Sequence, residues 1–98
     1  MKIKVDQILK DYEGKDIKLK NDLLKIRDVI STSLNSVDPQ EKMSAEDKNK
    51  AYQISVKLWS KKEINLTLDD RKFIKDRVYK IYSPLICGRI SDLFEGEK

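Results

Sequence analysis

The sequence contains no histidine, one cysteine (Cys87) and three glycines among its 98 residues. Without histidine the chain lacks the commonest general base and metal ligand, and it cannot form a Ser-His or Cys-His pair. A lone cysteine cannot close an internal disulfide, and it leaves no ligand set for a structural zinc site. The glycines fit neither the GxxxxGK nor the GxGxxG phosphate-binding spacing. We therefore expect a protein that is not an enzyme and that takes no cofactor, metal or small-molecule substrate.

Long apolar runs are missing as well, since the longest covers about four residues around Leu85 to Cys87. A membrane-spanning helix needs about 20 apolar residues. The first twenty residues are interrupted throughout by charged side chains and contain no apolar core of a signal peptide. We expect no membrane contact and a cytoplasmic location, which suits a chain with one unpaired thiol.

Charged residues are abundant and nearly balanced, with 21 basic and 17 acidic side chains and a net charge of +4. Disordered chains combine high net charge with too few apolar residues to build a core. Here the apolar residues recur with a helical period, which indicates a folded domain. Acidic residues are scattered among the basic ones, so the charge permits an anionic partner without requiring one.

Residues 1–20 are predicted to form a β-hairpin. Met1 to Val5 alternates polar and apolar residues, as a half-buried strand does. Ile8 to Leu19 contains two short extended runs around Gly14, which can take the positive φ of a tight turn. Because an isolated hairpin is marginal in water, we expect this one to pack on helices or to pair with another strand edge.

Residues 21–98 are predicted to form four helices, each with its own start signal. Serine, threonine or asparagine precedes each helix, carboxylates follow in the first turns of the first three, and prolines mark one end and one start. The markers are Asn21 and Pro39 for the first helix, Ser44 for the second, Thr67 for the third, and Ser83–Pro84 with Gly96 for the fourth. The predicted fold class is mainly α, with the N-terminal β-hairpin and about four short helices in one compact domain, residues 1–98.

The second helix carries Trp59, the only tryptophan in the chain. Trp59 is in phase with Tyr52 and Val56, which predicts that all three belong to the core. Tryptophan is also enriched at binding hot spots, so the alternative role of Trp59 is to anchor a partner. In the last helix, Cys87 and Gly88 are small residues, and we expect them to serve close helix packing.

The third helix, residues 68–81, is rich in basic residues. Lys72, Lys75 and Tyr79 share one face by helical spacing, and a sharp turn leads into helix 84–95, which bears Arg89. This order resembles a helix-turn-helix, in which the second helix enters the major groove of DNA. Acidic residues alternate with the basic ones, as on an ordinary solvated face. The candidate partner-binding residues are Trp59, Lys72, Lys75, Tyr79 and Arg89.

Residues 64–96 combine a Thr-Leu-Asp-Asp helix start, the tight Ser-Pro junction and a Pro-Leu-Ile-Cys-Gly helix. In this order of caps and spacings the segment resembles the ends of small bacteriophage and prophage accessory proteins. The resemblance implies an assembly or regulatory protein in the cytoplasm of a bacterial host, and it transfers no functional residue. The predicted function is protein binding, with a protein partner or self-association as a homodimer. The alternative is a small nucleic-acid-binding regulator that uses helices 68–81 and 84–95.

Overall fold

Four helices and four short strands make up the described part of the chain, residues 1–19, 21–38 and 40–95 of a computed structural model. In chain order the elements are β1 (Lys2–Lys4), β2 (Lys18–Leu19), β3 (Asp22–Leu23), α1 (Ile26–Asn35), α2 (Ala45–Ser60), β4 (Glu63–Asn65), α3 (Leu68–Ile81) and α4 (Pro84–Glu95). The predicted fold class, mainly α with an N-terminal β-hairpin, is confirmed.

The predicted turn at Gly14 is present. Gly14 has φ +83°, the Asp11 amide donates to the Lys15 carbonyl at 2.8 Å, and the Ile17 amide donates to the Leu9 carbonyl at 3.0 Å. The positive φ lies in the left-handed region that glycine adopts at little cost. The two extended runs on either side of this turn therefore pair with each other, as their pattern predicts.

The strand predicted at Met1 to Val5 pairs outside the first twenty residues. β1 runs antiparallel to β4, with Ile3 opposite Ile64 and both side chains buried. The ladder is extended by hydrogen bonds from the Leu66 amide to the Met1 carbonyl at 2.8 Å and from the Val5 amide to the Lys62 carbonyl at 2.9 Å. β4, which lies between α2 and α3, was not predicted from the sequence.

The predicted start of the first helix is wrong. Asp22–Leu23 forms β3, which pairs with β2 across a turn in which Asn21 has φ +72°. Asn tolerates this left-handed conformation better than most residues. Helix α1 begins only at Ile26 and ends at Asn35, so Val37 lies beyond it. Pro39, the predicted end marker, lies outside the described residues, as does Gly96 at the end of α4.

The other three helix starts are confirmed. The Ser44 side chain accepts a hydrogen bond from the Asp47 amide at 3.0 Å. At α3 the Thr67 hydroxyl accepts from the Asp70 amide at 3.0 Å, and the Asp70 carboxylate accepts from the Thr67 amide at 3.2 Å. This reciprocal pair is a capping box, which satisfies two amides that have no partner within the helix. Pro84 is the first residue of α4.

The buried apolar side chains form one cluster. α1 packs against both α2 and α3, α3 packs against α4, and the β1–β4 pair contributes Ile3 and Ile64. Cys87 is buried in this cluster, as predicted. Gly88 does not serve close packing, because a Cβ added there would meet nothing within 4 Å. Within the described residues, no helix is both long enough and apolar enough to span a membrane.

Candidate functional site

Helix α2 has two apolar stripes, and only one of them faces the core. Its buried residues are Ala51, Ile54 and Leu58. By contrast Tyr52, Val56 and Trp59 are 67%, 50% and 59% exposed. The predicted core position of these three residues is wrong, because the core covers the stripe of buried residues and leaves the adjoining stripe of α2 open to solvent.

The exposed stripe follows the spacing of a coiled-coil contact. Its members alternate steps of four and three residues along the helix, which is the a/d pattern that keeps one narrow seam facing a partner helix. None of them is charged, and all are exposed. We call this set the α2 seam; it consists of Ala45, Asn49, Tyr52, Val56 and Trp59.

Trp59 is held in place by residues of α1. The Trp59 indole nitrogen donates to the Ser31 hydroxyl at 3.3 Å, and the Arg27 guanidinium carbon lies 5.3 Å from the centre of the ring. A cation at this distance from an indole is attracted to the ring. Arg27 is itself fixed, since it donates to the carbonyls of Leu58 at 2.6 Å and Lys61 at 2.8 Å. The most prominent aromatic of the α2 seam is therefore pre-organised although it is solvent-exposed.

Shallow depressions lie on both sides of Trp59. One is lined by Tyr52, Ser55 and Val56 together with Asn35 from α1. The other is lined by residues of the β2–β3 turn and the start of α1, including Leu23. Trp59 borders both depressions, so the α2 seam belongs to a wider surface with polar edges.

The predicted binding residues on α3 and α4 differ in whether their side chains are exposed to solvent or already bonded within the fold. Lys72 and Tyr79 are exposed, and Tyr79 lines an open depression together with Lys75. Lys75 also forms an ion pair with Glu95 at 3.4 Å. Arg89 donates to the Lys10 carbonyl at 2.9 Å and the Asp11 carbonyl at 2.6 Å, so it fastens the N-terminal turn to α4. The depression that Lys75 and Tyr79 line is separate from the two that Trp59 borders.

All four arginines of the chain donate to backbone carbonyls of another element. The acceptors beyond those of Arg27 and Arg89 are Phe94 for Arg71, and Ser33 and Ser36 for Arg77. Three of the four arginines thus supply donors at helix C-termini, where the last carbonyls have no intrahelical partner. Their guanidinium groups are engaged within the fold.

At two places an ion pair lowers the pKa of a carboxyl group. Lys80 and Arg77 both bind the Glu41 carboxylate, and these hydrogen bonds lower the pKa of Glu41. Lys50 pairs with Asp69 at 2.8 Å, which lowers the pKa of that carboxyl. In residues 1–19, 21–38 and 40–95, no three His, Cys, Asp or Glu side chains are grouped so that they could hold a metal ion.

Comparison with known proteins adds no family. No protein-family model matches the sequence, and no curated protein or solved structure is significantly similar to it. The resemblance to small phage proteins therefore stays a prediction, and a functional interpretation depends on the surfaces of the chain itself.

Proposed function

We propose that this chain is a non-enzymatic protein-binding protein that docks a partner helix on the α2 seam. One observation carries the proposal: an uncharged stripe with a/d spacing, two aromatics and a valine lies on the open side of a helix whose other side is already packed. Scattered apolar residues on a surface need no explanation, whereas a contiguous apolar patch with polar edges is typical of an interaction site.

The chemistry of the seam suits a helix more than a small ligand. Tyr and Trp each bury about 150–250 Å² when covered, and they dominate the energetics of many interfaces. Arg27 and Ser31 already restrict the Trp59 ring, so binding loses little side-chain freedom there. A partner helix that inserts side chains between Tyr52, Val56 and Trp59 would bury this aromatic surface at low entropic cost.

The nucleic-acid alternative has weaker support. It depends on helices α3 and α4, but Arg71, Arg77 and Arg89 are engaged with backbone carbonyls. Lys75 and Lys80 pair with carboxylates. Phosphate contacts need free cationic side chains on one face. Lys72 is exposed, but a single lysine can make few contacts with phosphate groups.

The biological setting we propose is phage assembly or the regulation of a host protein in the bacterial cytoplasm. It is supported by the resemblance of residues 64–96 to phage accessory proteins. In this chain α3 and α4, which fall in that segment, form part of the scaffold behind the α2 seam, since α3 packs against α1 and α4. Such a role needs a stable scaffold and one exposed docking face.

Site-specific photo-crosslinking tests the proposal. A photo-reactive amino acid at Val56 should give crosslinked protein adducts, and the Trp59→Ala substitution should abolish them. Leu68 is the matched control position, because it is an exposed apolar residue at the start of α3. Equal yields from positions 56 and 68, or adducts insensitive to Trp59→Ala, would contradict the proposed function.

An anisotropy titration with random duplex DNA and single-stranded RNA tests the alternative. Each phosphate contact on duplex DNA contributes about −0.9 to the slope of log K against log salt. We expect no micromolar binding at physiological salt. Binding that Lys72→Glu with Lys75→Glu abolishes would favour the nucleic-acid regulator instead.

A further inference from the structure

We propose that the outer edge of β4 binds an extended acidic segment of a partner protein, which adds to the β1–β4 pair as a third strand. This surface is separate from the α2 seam and is independent of the docking function proposed there. Backbone groups of β4 point away from β1, and a group of unpaired lysines lies beside them. The first feature selects an extended chain, and the second selects its charge.

The backbone of β4 has an outer edge that no other strand occupies. In an antiparallel pair, residues that exchange hydrogen bonds with the partner strand alternate with residues whose N–H and C=O groups point away from it. The bond from the Leu66 amide to the Met1 carbonyl fixes this alternation, so the groups of Glu63 and Asn65 point away from β1. Within the described residues β1 is the only strand paired with β4, and these outward groups make no backbone hydrogen bond. An extended peptide can pair with such donors and acceptors by strand addition.

The outer edge of β1 is less open. The Gln7 side-chain amide donates to the Lys4 carbonyl at 3.0 Å, and the Arg27 amide donates to the Val5 carbonyl at 2.8 Å. These bonds occupy acceptors at the end of β1 and bring the start of α1 beside it. A third strand is therefore expected on β4.

Three lysines line an open depression beside β4. They are Lys2 of β1, Lys57 in the last turn of α2 and Lys61 at its end, and Glu63 and Asn65 line the same depression. All three lysines are exposed, and in the described part of the chain none is paired with a carboxylate. Glu63 is the only acid in the lining, so the depression has an excess of positive charge.

The end of α2 does not by itself explain this group of lysines. Cations are favoured at a helix C-terminus, which accounts for Lys57 and Lys61. Lys2 comes from β1 and has no such reason to be there. Lysines on other surfaces, such as Lys10 and Lys75, are paired with carboxylates of the chain. Carboxylates of a partner would supply the pairing that the lysines of this depression lack.

Lysines on an edge also select which strand can pair with it. Short edge strands with lysine side chains are a common protection against pairing with other chains. Here Lys2 and Lys4 on β1, with Lys61 beside β4, would repel a strand that carries lysines, including β1 of a second copy. A strand with carboxylates is attracted instead, and glutamates alternating with apolar residues would match the exposed–buried–exposed pattern of β4. The occupant that fits is therefore an acidic extended segment.

A peptide titration followed by NMR tests whether such a segment binds. The probe is a short peptide with blocked ends that alternates glutamate with valine, added to the isotope-labelled full chain. We expect a dissociation constant on the order of 100 μM, with the largest shifts at the amides of Glu63 and Asn65. Failure to bind up to about 1 mM peptide, or shifts confined to other parts of the chain, would overturn the proposal.

Charge reversal tests the contribution of the lysines. Lys57→Glu with Lys61→Glu should weaken peptide binding at least about tenfold, because two attractions become repulsions. Lys48→Glu with Lys72→Glu is the matched control, since it changes the net charge equally at exposed lysines outside the depression and should weaken binding less than about threefold. Equal losses from both pairs would contradict a role for the depression. Binding of random duplex DNA that only the first pair abolishes would assign the depression to phosphate and overturn the peptide as its occupant.

Proline substitution tests strand addition. Glu63→Pro removes an outward amide donor and leaves the bonds between Ile64 and Ile3 in place, so circular dichroism should be unchanged while the peptide no longer binds. Glu63→Thr keeps the amide and removes the same negative charge, so it should bind the peptide at least as tightly as the wild type. Equal binding by the two variants would show that β4 does not pair with the peptide.

Methylated peptides give the same test without changing the protein. Because the alternation of glutamate and valine fixes the face that the peptide presents, only one set of alternate amides can point toward β4. N-methylation of that set should abolish binding, and N-methylation of the other set should leave it nearly unchanged. If both methylated peptides bind like the parent, charge alone holds the peptide and strand addition is wrong.

Discussion

Replacing Arg77 with methionine should remove a connection on which the packing of α3 against α1 depends. Arg77 is 4% exposed, and its guanidinium donates in three directions. It binds the carbonyls of Ser33 at 3.1 Å and Ser36 at 2.6 Å, and it forms an ion pair with Glu41. Ser33 and Ser36 lie at the C-terminus of α1, where carbonyls lack intrahelical donors. Methionine fills much of the same volume and donates nothing.

The expected cost is about 3–6 kcal/mol, because the two hydrogen bonds from the buried guanidinium to these carbonyls are lost without replacement. Each hydrogen bond from a charged donor contributes about 1.5–3 kcal/mol. For a domain of this size, 1 kcal/mol corresponds to a change in Tm of about 4–8 °C. The melting midpoint should therefore fall by at least about 12 °C. Because small domains have total stabilities of about 5–15 kcal/mol, the variant is expected to be only marginally folded.

Urea denaturation followed by circular dichroism measures the loss. Lys72→Met is the matched control, because it removes an exposed cation from the same helix and should cost at most about 0.5 kcal/mol. Arg77→Lys should be intermediate, since one ammonium group cannot reproduce the planar fork that reaches both carbonyls. A loss below about 1 kcal/mol for Arg77→Met, or a loss equal to that of Lys72→Met, would refute this account of Arg77.

Three further changes follow from the same structure. Gly88→Ala should raise the free energy of unfolding by about 1 kcal/mol, because alanine is the better helix former and its Cβ meets no neighbour; a lower thermal midpoint would contradict this. The pKa of Glu41 is lowered from 4.5 in the folded state, chiefly by Lys80 and then by Arg77. Its contribution to stability is therefore present above pH 4.5 and is lost as the pH falls through the folded pKa. Urea midpoints at stepped pH should fall less steeply in Glu41→Gln, and identical slopes would count against the pair. Burial raises the pKa of the Cys87 thiol, so a thiol reagent should modify it slowly in the native protein and rapidly in urea; fast native labelling would show that the site opens.

Local signals in the sequence predicted the features that depend on few neighbouring residues. Ser44 and Thr67 precede carboxylates at capping distance, Pro84 has the φ of a first helical residue, and Gly14 permits its turn. The start of α1 was missed because Leu23 fits a helical period, while its pairing with Lys18 places it in a strand. β4 was missed because it has three residues and its partner lies about sixty positions earlier in the chain.

The α2 seam was the hardest feature to predict, and the reason is physical. Helix α2 carries apolar residues on two adjoining stripes, and periodicity alone cannot show which stripe faces the core. The answer depends on the orientation of α2 against α1, which is a tertiary property. For a related reason, the sequence does not show which basic residues of α3 are free. Whether Arg77 is a free cation or a buried donor depends on where the end of α1 lies.

Arg27 links the stability of the fold to its exposed surface. The same guanidinium donates to the Leu58 and Lys61 carbonyls at the end of α2 and lies over the Trp59 ring. The first contact is structural, since it satisfies carbonyls that the helix leaves without donors. The second contact orients the ring of Trp59, which lies outside the core. An exposed tryptophan without a binding role would not need a second side chain to fix its orientation. A ring that is ordered before a partner arrives loses little entropy on binding, so the contact of Arg27 with Trp59 supports the docking role that we propose.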